Sequence, residues 1–130
     1  MKGLKQFHHL GVAVKDVKSA ISFLKASFGE IVHEISPMIF DPLQDARLLM
    51  IELGGLRLEL VEGKPVESFI KRGQNIYHVC FTVQSLEETI KSLSSETIMV
   101  SPPTPALLFG GKRVAFLYLK SLGLVELLEE

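Results

Sequence analysis

The sequence contains a single cysteine, Cys80. A lone thiol forms no intrachain disulfide, which excludes the cysteine-dense scaffolds of small secreted proteins. An excess of charge of one sign is also missing: 14 Lys and Arg stand against 15 Asp and Glu, a net charge of −1 with the histidines neutral. So balanced a chain offers no electrostatic footprint for nucleic acid or an anionic membrane surface. No apolar run approaches the roughly 20 residues of a spanning helix, and the N-terminus lacks the apolar core of a signal peptide. The expectation is a cytoplasmic globular protein with neither nucleic acid nor membrane as partner.

What is present is ordinary in bulk, with 130 residues of which 47% are hydrophobic and 22% charged. That length makes a single domain, residues 1–130, with a real core and too little chain for two conventional domains.

The informative feature is that the chain repeats itself. "HLGVAVKDVKSAISFL" from His9 matches "HVCFTVQSLEETIKSL" from His78 at a constant offset of 69 (78 − 9). His9 falls on His78, Val14 on Val83, Ile21 on Ile90 and Leu24 on Leu93. Further on, "LELVE" from Leu58 matches "VELLE" from Val125 at an offset of 67 (126 − 59), which sets Glu59 on Glu126. Loops of unequal length account for the slip. The modules cover about 5–62 and 75–130, joined by a linker at 63–74 in which Val66 to Lys71 has the pattern of one helical turn.

Each module reads as strand, helix and three strands. "HLGVAV" alternates, as a half-buried strand does. Asp16 is a helix N-cap, followed by Val17, Ala20, Ile21, Leu24 and Phe28 at helical spacing and Gly29 as the stop. In the second copy Ser85-Leu-Glu-Glu88 has the form of a capping box. "EIVHEI" and "TIMV" are the next strands, followed by the loops "SPMIFDPLQDA" and "SPPTPALLFGGK". Hairpins close each module, "RLLMIEL" with "LRLELVE" about Gly54-Gly55, and "RVAFLYL" with "GLVELLE". The fold class is therefore α+β, two tandem βαβββ modules pairing into a curved, mostly antiparallel sheet around one cavity.

Alternation along a strand sends His8 and His9 to opposite faces. His8 goes with Leu10, Val12 and Val14, the face a helix covers, and reads as packing or rim. His9 goes with the small Gly11 and Ala13, and its counterpart His78 goes with Cys80 and Thr82. Glu59 and Glu126 are each flanked by aliphatic residues at the middle of a strand, where a carboxylate needs a partner. Glu62 and Glu129 fall at strand ends and read as solvated. Two imidazoles and two carboxylates at matching places in matching modules suit one divalent ion, Co, Ni, Mn, Zn or Fe, with His9, Glu59, His78 and Glu126 as ligands. Lys112 and Arg113, after Gly110-Gly111, are candidates to meet an anionic group of a substrate. Met50, Phe116 and Tyr118 read as strand core, with cavity lining as the alternative, and Cys80 as a buried structural thiol.

Taken together, "HHLGVAV", "LELVE", "YHVCFTV" and "VELLEE" in paired βαβββ modules resemble the vicinal oxygen chelate superfamily over essentially the whole chain. The opening "HHLGVAVKDVKSAISFL" and the spacing Pro65-x-x-x-Phe69-Ile70 before the second histidine are similar to methylmalonyl-CoA epimerases. The resemblance implies a small-molecule substrate, an acyl-CoA or 2-oxo compound, that chelates the metal through neighbouring oxygens, in a homodimeric enzyme of the isomerase or lyase type. It also implies Glu126 as the base that removes the proton beside the carbonyl; Glu52 and Gln44, from the neighbouring strand and loop, are the candidates for a second acid/base group. The alternatives on the same fold are a non-enzymatic binding or resistance module and an Fe(II) dioxygenase, whose three-ligand triad would leave one glutamate unexplained.

Overall fold

In the computed structural model, which describes Met1–Glu130, the chain divides into two compact units. One is His9–Tyr77; the other joins Met1–His8 to His78–Glu130. The elements of the first half are β1 (Leu4–Ala13), α1 (Val17–Phe28), β2 (Val32–Glu34), β3 (Ile39–Asp41), β4 (Ala46–Leu53), β5 (Leu56–Gly63) and α2 (Glu67–Lys71). The second half runs β6 (Ile76–Val83), α3 (Leu86–Lys91), β7 (Ile98–Pro105), β8 (Arg113–Leu119) and β9 (Gly123–Glu129). The α+β class and the repeated βαβββ plan are those read from the sequence.

Within the first unit β2, β4, β5 and β1 lie side by side, and β3 also pairs with β4. The β1–β5 pairing is parallel and the others are antiparallel. The second unit repeats the plan, with β6 parallel to β9, then β8 and β7 antiparallel beyond it. One face of each sheet packs on its helix. Leu49, Ile51, Leu58 and Leu60 bury themselves against Val17, with Ala20, Ile21 and Leu24 of α1 alongside. Leu117, Val125 and Leu127 do the same with Leu86, and Ile90 and Leu93 join them. Fully burying one such aliphatic side chain stabilises by about 1.5–3 kcal/mol, so these clusters are the main source of each unit's stability.

Local differences from the sequence reading have identifiable causes. The stretch "SPMIFDPLQDA" holds the short strand β3, because Ile39 and Phe40 find partners in Leu48 and Arg47 of β4. The strand expected at "TIMV" continues through three prolines to Pro105. Having no partner but β8, β7 is an edge strand, where a missing N–H costs nothing in the ladder, and its register shifts twice along the way. Helix α3 ends at Lys91, so Leu93 reaches the core from beyond the helix. Phe28, counted with the buried stripe of α1, is half exposed at the last turn. The Gly54-Gly55 hairpin is as expected, both glycines adopting positive φ in the two-residue loop.

Glu62 and Glu129 correct another expectation. Each lies at the end of its last strand, but neither is simply solvated. A Glu62 carboxylate oxygen accepts from the Val17 backbone N–H at 2.8 Å, and a Glu129 oxygen accepts from that of Leu86 at 2.9 Å. These are the first N–H groups of α1 and α3, which have no partner inside the helix. A carboxylate there also meets the positive end of the helix dipole. Asp16 and Ser85 complete the caps, accepting from Ser19 and Glu88.

The bond from the Ser19 N–H holds the Asp16 carboxyl below its ordinary value of 3.8. A lowered folded value means a stabilisation that is full above the unfolded value and lost as pH falls through the folded one. In urea melts, Asp16→Ala should therefore be less stable than wild type at pH 7, with the gap closing below about pH 4. Glu62→Ala should cost about 1 kcal/mol at pH 7.

Candidate metal centre

Register decides where the polar core residues stand. In a sheet, directly opposed residues point to the same face. Gly11 of β1 lies opposite Glu59 of β5, so His9, two residues earlier, shares the face of Glu59. Cys80 of β6 lies opposite Glu126 of β9, and His78, again two residues earlier, shares the face of Glu126. Each module thus sets an imidazole diagonally beside a carboxylate on neighbouring parallel strands. The result is two pairs of nearly equal dimensions: His9 Nε2 to Glu59 Oε1 at 3.4 Å, and His78 Nε2 to Glu126 Oε1 at 3.3 Å.

All four side chains are buried on the face turned away from the helices, with His9 at 0% exposure and Glu59, the most accessible, at 6%. Small neighbours allow this. Gly11 and Ala13 follow His9 on its face of β1, and Cys80 and Thr82 follow His78 on its face of β6. On the next strands Met50 stands opposite Glu59 and Phe116 opposite Glu126. The Phe116 ring meets His78 edge-on, centroids 5.3 Å apart, which fixes the imidazole plane.

The donor chemistry fits a divalent ion of intermediate hardness. The N···O separations exceed the 2.7–2.9 Å typical of a charge-assisted hydrogen bond. Two donors bound about 2.1 Å from one ion, at angles of 90–109°, stand roughly 3.0–3.4 Å apart. The two pairs have that spacing.

The other residues singled out in the sequence fall as follows. His8 is partly buried and meets the Phe109 ring edge-on at 5.6 Å, a packing position. Cys80 is buried in an apolar cluster with Ala106, Val114 and Leu128. Met50 is buried, Phe116 partly so, and Tyr118 is half exposed. The Gln44 amide donates to Asp41 at 3.0 Å, and Glu52 lies partly buried between His33 and Arg57. Asp41 itself was missed: it is buried and also accepts from the Leu43 N–H, closing the turn after β3. The Asp-Pro pair inside a supposed loop was the available signal.

Lys112 is exposed in the loop before β8. Arg113, offered as a substrate contact, is committed to Glu129 and Glu87, with bonds of 2.8–3.0 Å to both carboxylates. These raise the guanidinium's proton affinity above its ordinary level and hold the Glu87 carboxyl below its own. Arg113 matches Arg47, which pairs with Glu62 in the first module. Both arginines steady the carboxylate that caps a helix.

Comparison with known proteins agrees with this architecture. Residues 8–116 match the family described as the Glyoxalase/Bleomycin resistance protein/Dioxygenase superfamily, and the chain belongs to it. Among individual proteins it is similar to the mitochondrial methylmalonyl-CoA epimerase of Dictyostelium discoideum, 26% identical, the match spanning 98% of this chain and 80% of that one. A hypothetical protein from Bacillus halodurans C-125 has a similar crystal structure, with a TM-score of 0.80, 30% identity and coverage of 96% of this chain and 94% of that one. A Streptomyces coelicolor methylmalonyl-CoA epimerase variant in complex with 2-nitronate-propionyl-CoA shares the fold at a TM-score of 0.76 and 21% identity, covering 98% of each chain. No helix of the structure is long and apolar enough to cross a membrane.

Arg113→Ala should lower the melting temperature, whereas Lys112→Ala should leave it unchanged. A thermal scan of the two variants beside wild type makes the comparison.

Proposed function

We propose that this chain is a divalent-metal-dependent epimerase acting on an acyl-CoA thioester by proton transfer beside the thioester carbonyl. The observation that carries the reading is the pair of equivalent His–Glu constellations, each buried and each at ligand spacing. Family membership and the relatedness to methylmalonyl-CoA epimerases support the reaction class and the substrate class. In this reading residues 1–130 act as one domain in a cytoplasmic homodimer, and His9, Glu59, His78 and Glu126 together hold one metal ion.

When bound, such an ion polarises a carbonyl and acidifies the neighbouring C–H. The chain's own residues do the rest. His9 and His78 offer neutral imidazole nitrogens, and Glu59 offers charge to balance the cation. Glu126 is the base: released from the ion, its carboxylate would take the proton from the carbon next to the carbonyl, and a second acid, for which Glu52 is the candidate, would return a proton to the opposite face and invert the centre. Burial keeps bulk water from the pairs, which strengthens every electrostatic interaction within them.

The test is solvent exchange. In deuterium oxide, the Co²⁺-supplemented protein should introduce deuterium at C2 of methylmalonyl-CoA, and Glu126→Gln should slow this by about 10²–10⁴-fold. An adduct of a 2-oxoaldehyde with a thiol should be turned over far more slowly. No exchange into any acyl-CoA would contradict the proposed reaction, and turnover of the adduct instead would move the assignment to a glyoxalase-type lyase.

A further inference from the structure

The two modules hold their candidate ligands alike but surround them differently. In the second unit Glu126 of β9 is flanked by Phe116 of β8 on one side and Cys80 of β6 on the other. His78, two residues before Cys80, is therefore two strands away from Phe116, roughly 10 Å of backbone separation. Yet the two rings lie 5.3 Å apart, centroid to centroid, with an interplanar angle of 87°. The phenyl group leans across β9, beside Glu126, to make that contact.

The same place in the first unit, opposite Glu59, belongs to Met50. Met50 is buried, so an unbranched side chain is enough to fill the face. What a thioether chain with three rotatable bonds does not provide is a plane against which an imidazole is oriented. An edge-on aromatic ring does provide one. Outer partners of this kind orient ligating imidazoles, and their loss typically weakens metal binding.

We infer that Phe116 is a positioning residue that holds the His78 imidazole in its ligating orientation, and that the ring stands in the module whose carboxylate moves. This rests on the metal-dependent reading above. With Glu126 in place, two donors of the second module bind side by side. When the carboxylate turns to the substrate carbon, His78 is the only donor its module keeps on the ion, and free rotation of its ring would lose it. In the first module Glu59 has no proton to move and stays beside His9, so Met50 supplies bulk alone.

Release of Co²⁺ to excess chelator, followed through the visible absorption of the bound ion, tests this without turnover. Phe116→Leu keeps apolar bulk and removes the ring; it should release Co²⁺ about tenfold faster than wild type and alter the visible bands. Phe116→Tyr, which keeps the ring, should restore slow release and the wild-type spectrum. Met50→Leu, an equally buried change in the first unit, should alter release by about twofold at most. Metal-free protein labelled in its histidines supplies the second readout by NMR. The His78 ring should give one set of signals in wild type and Phe116→Tyr, and broadened or doubled signals in Phe116→Leu with unchanged circular dichroism. Equal release from Phe116→Leu and Met50→Leu, fast release from Phe116→Tyr, or a single set of His78 signals in Phe116→Leu would overturn the positioning role. No Co²⁺ binding by wild type would instead overturn the metal-dependent reading, and with it the ligand role given to His78.

Discussion

Parallel pairing of the first and last strand of each module is the constraint on which everything else depends. It sets a glutamate opposite the residue two beyond a histidine, in both copies, and so holds Nε2 and Oε1 a little over 3 Å apart inside the protein. A buried carboxylate is costly unless a partner offsets its lost hydration, by several kcal/mol per ion in real proteins. An apolar pair at these positions would pack with less penalty. That both modules keep the polar pair at the same spacing points to a ligand-binding purpose for this face.

The opposite face serves stability, and a second repeated device separates the two. Glu62 and Glu129 lie three residues beyond Glu59 and Glu126, an odd step that sends them to the helix side. There each accepts from the first N–H of its helix and is braced by Arg47 or Arg113. One short motif, Glu-x-x-Glu at the end of each module, therefore supplies a candidate ligand to one face and a helix cap to the other. The aliphatic residues around the first glutamate anchor the same strand in the core.

Much of this was legible because duplication removes ambiguity. Aligning His9 on His78 separates the candidate ligand from His8, which becomes Tyr77 in the second copy, and the structure places His8 against Phe109. Glu59 and Glu126 were legible for the same reason. What stayed hidden depends on partners distant in sequence. Nothing local in "LELVE" shows that its last glutamate reaches Val17, 45 residues away. The register that gathers His33, Glu52 and Arg57 into one row is equally invisible until the strands are paired. Arg113 looked available beside Gly110-Gly111, because its partners Glu87 and Glu129 lie far along the chain. Strand β3 was missed because three residues carry too little periodicity to register.

The central claim is that both His–Glu pairs serve a single metal ion, and counting metal tests it most directly. Untagged protein, reconstituted with Co²⁺ and freed of excess, should carry one ion per chain. His9→Ala and His78→Ala, one in each pair, should each abolish that occupancy while remaining folded by circular dichroism. Two ions per chain, full occupancy in either variant, or no bound metal in wild type would contradict the account.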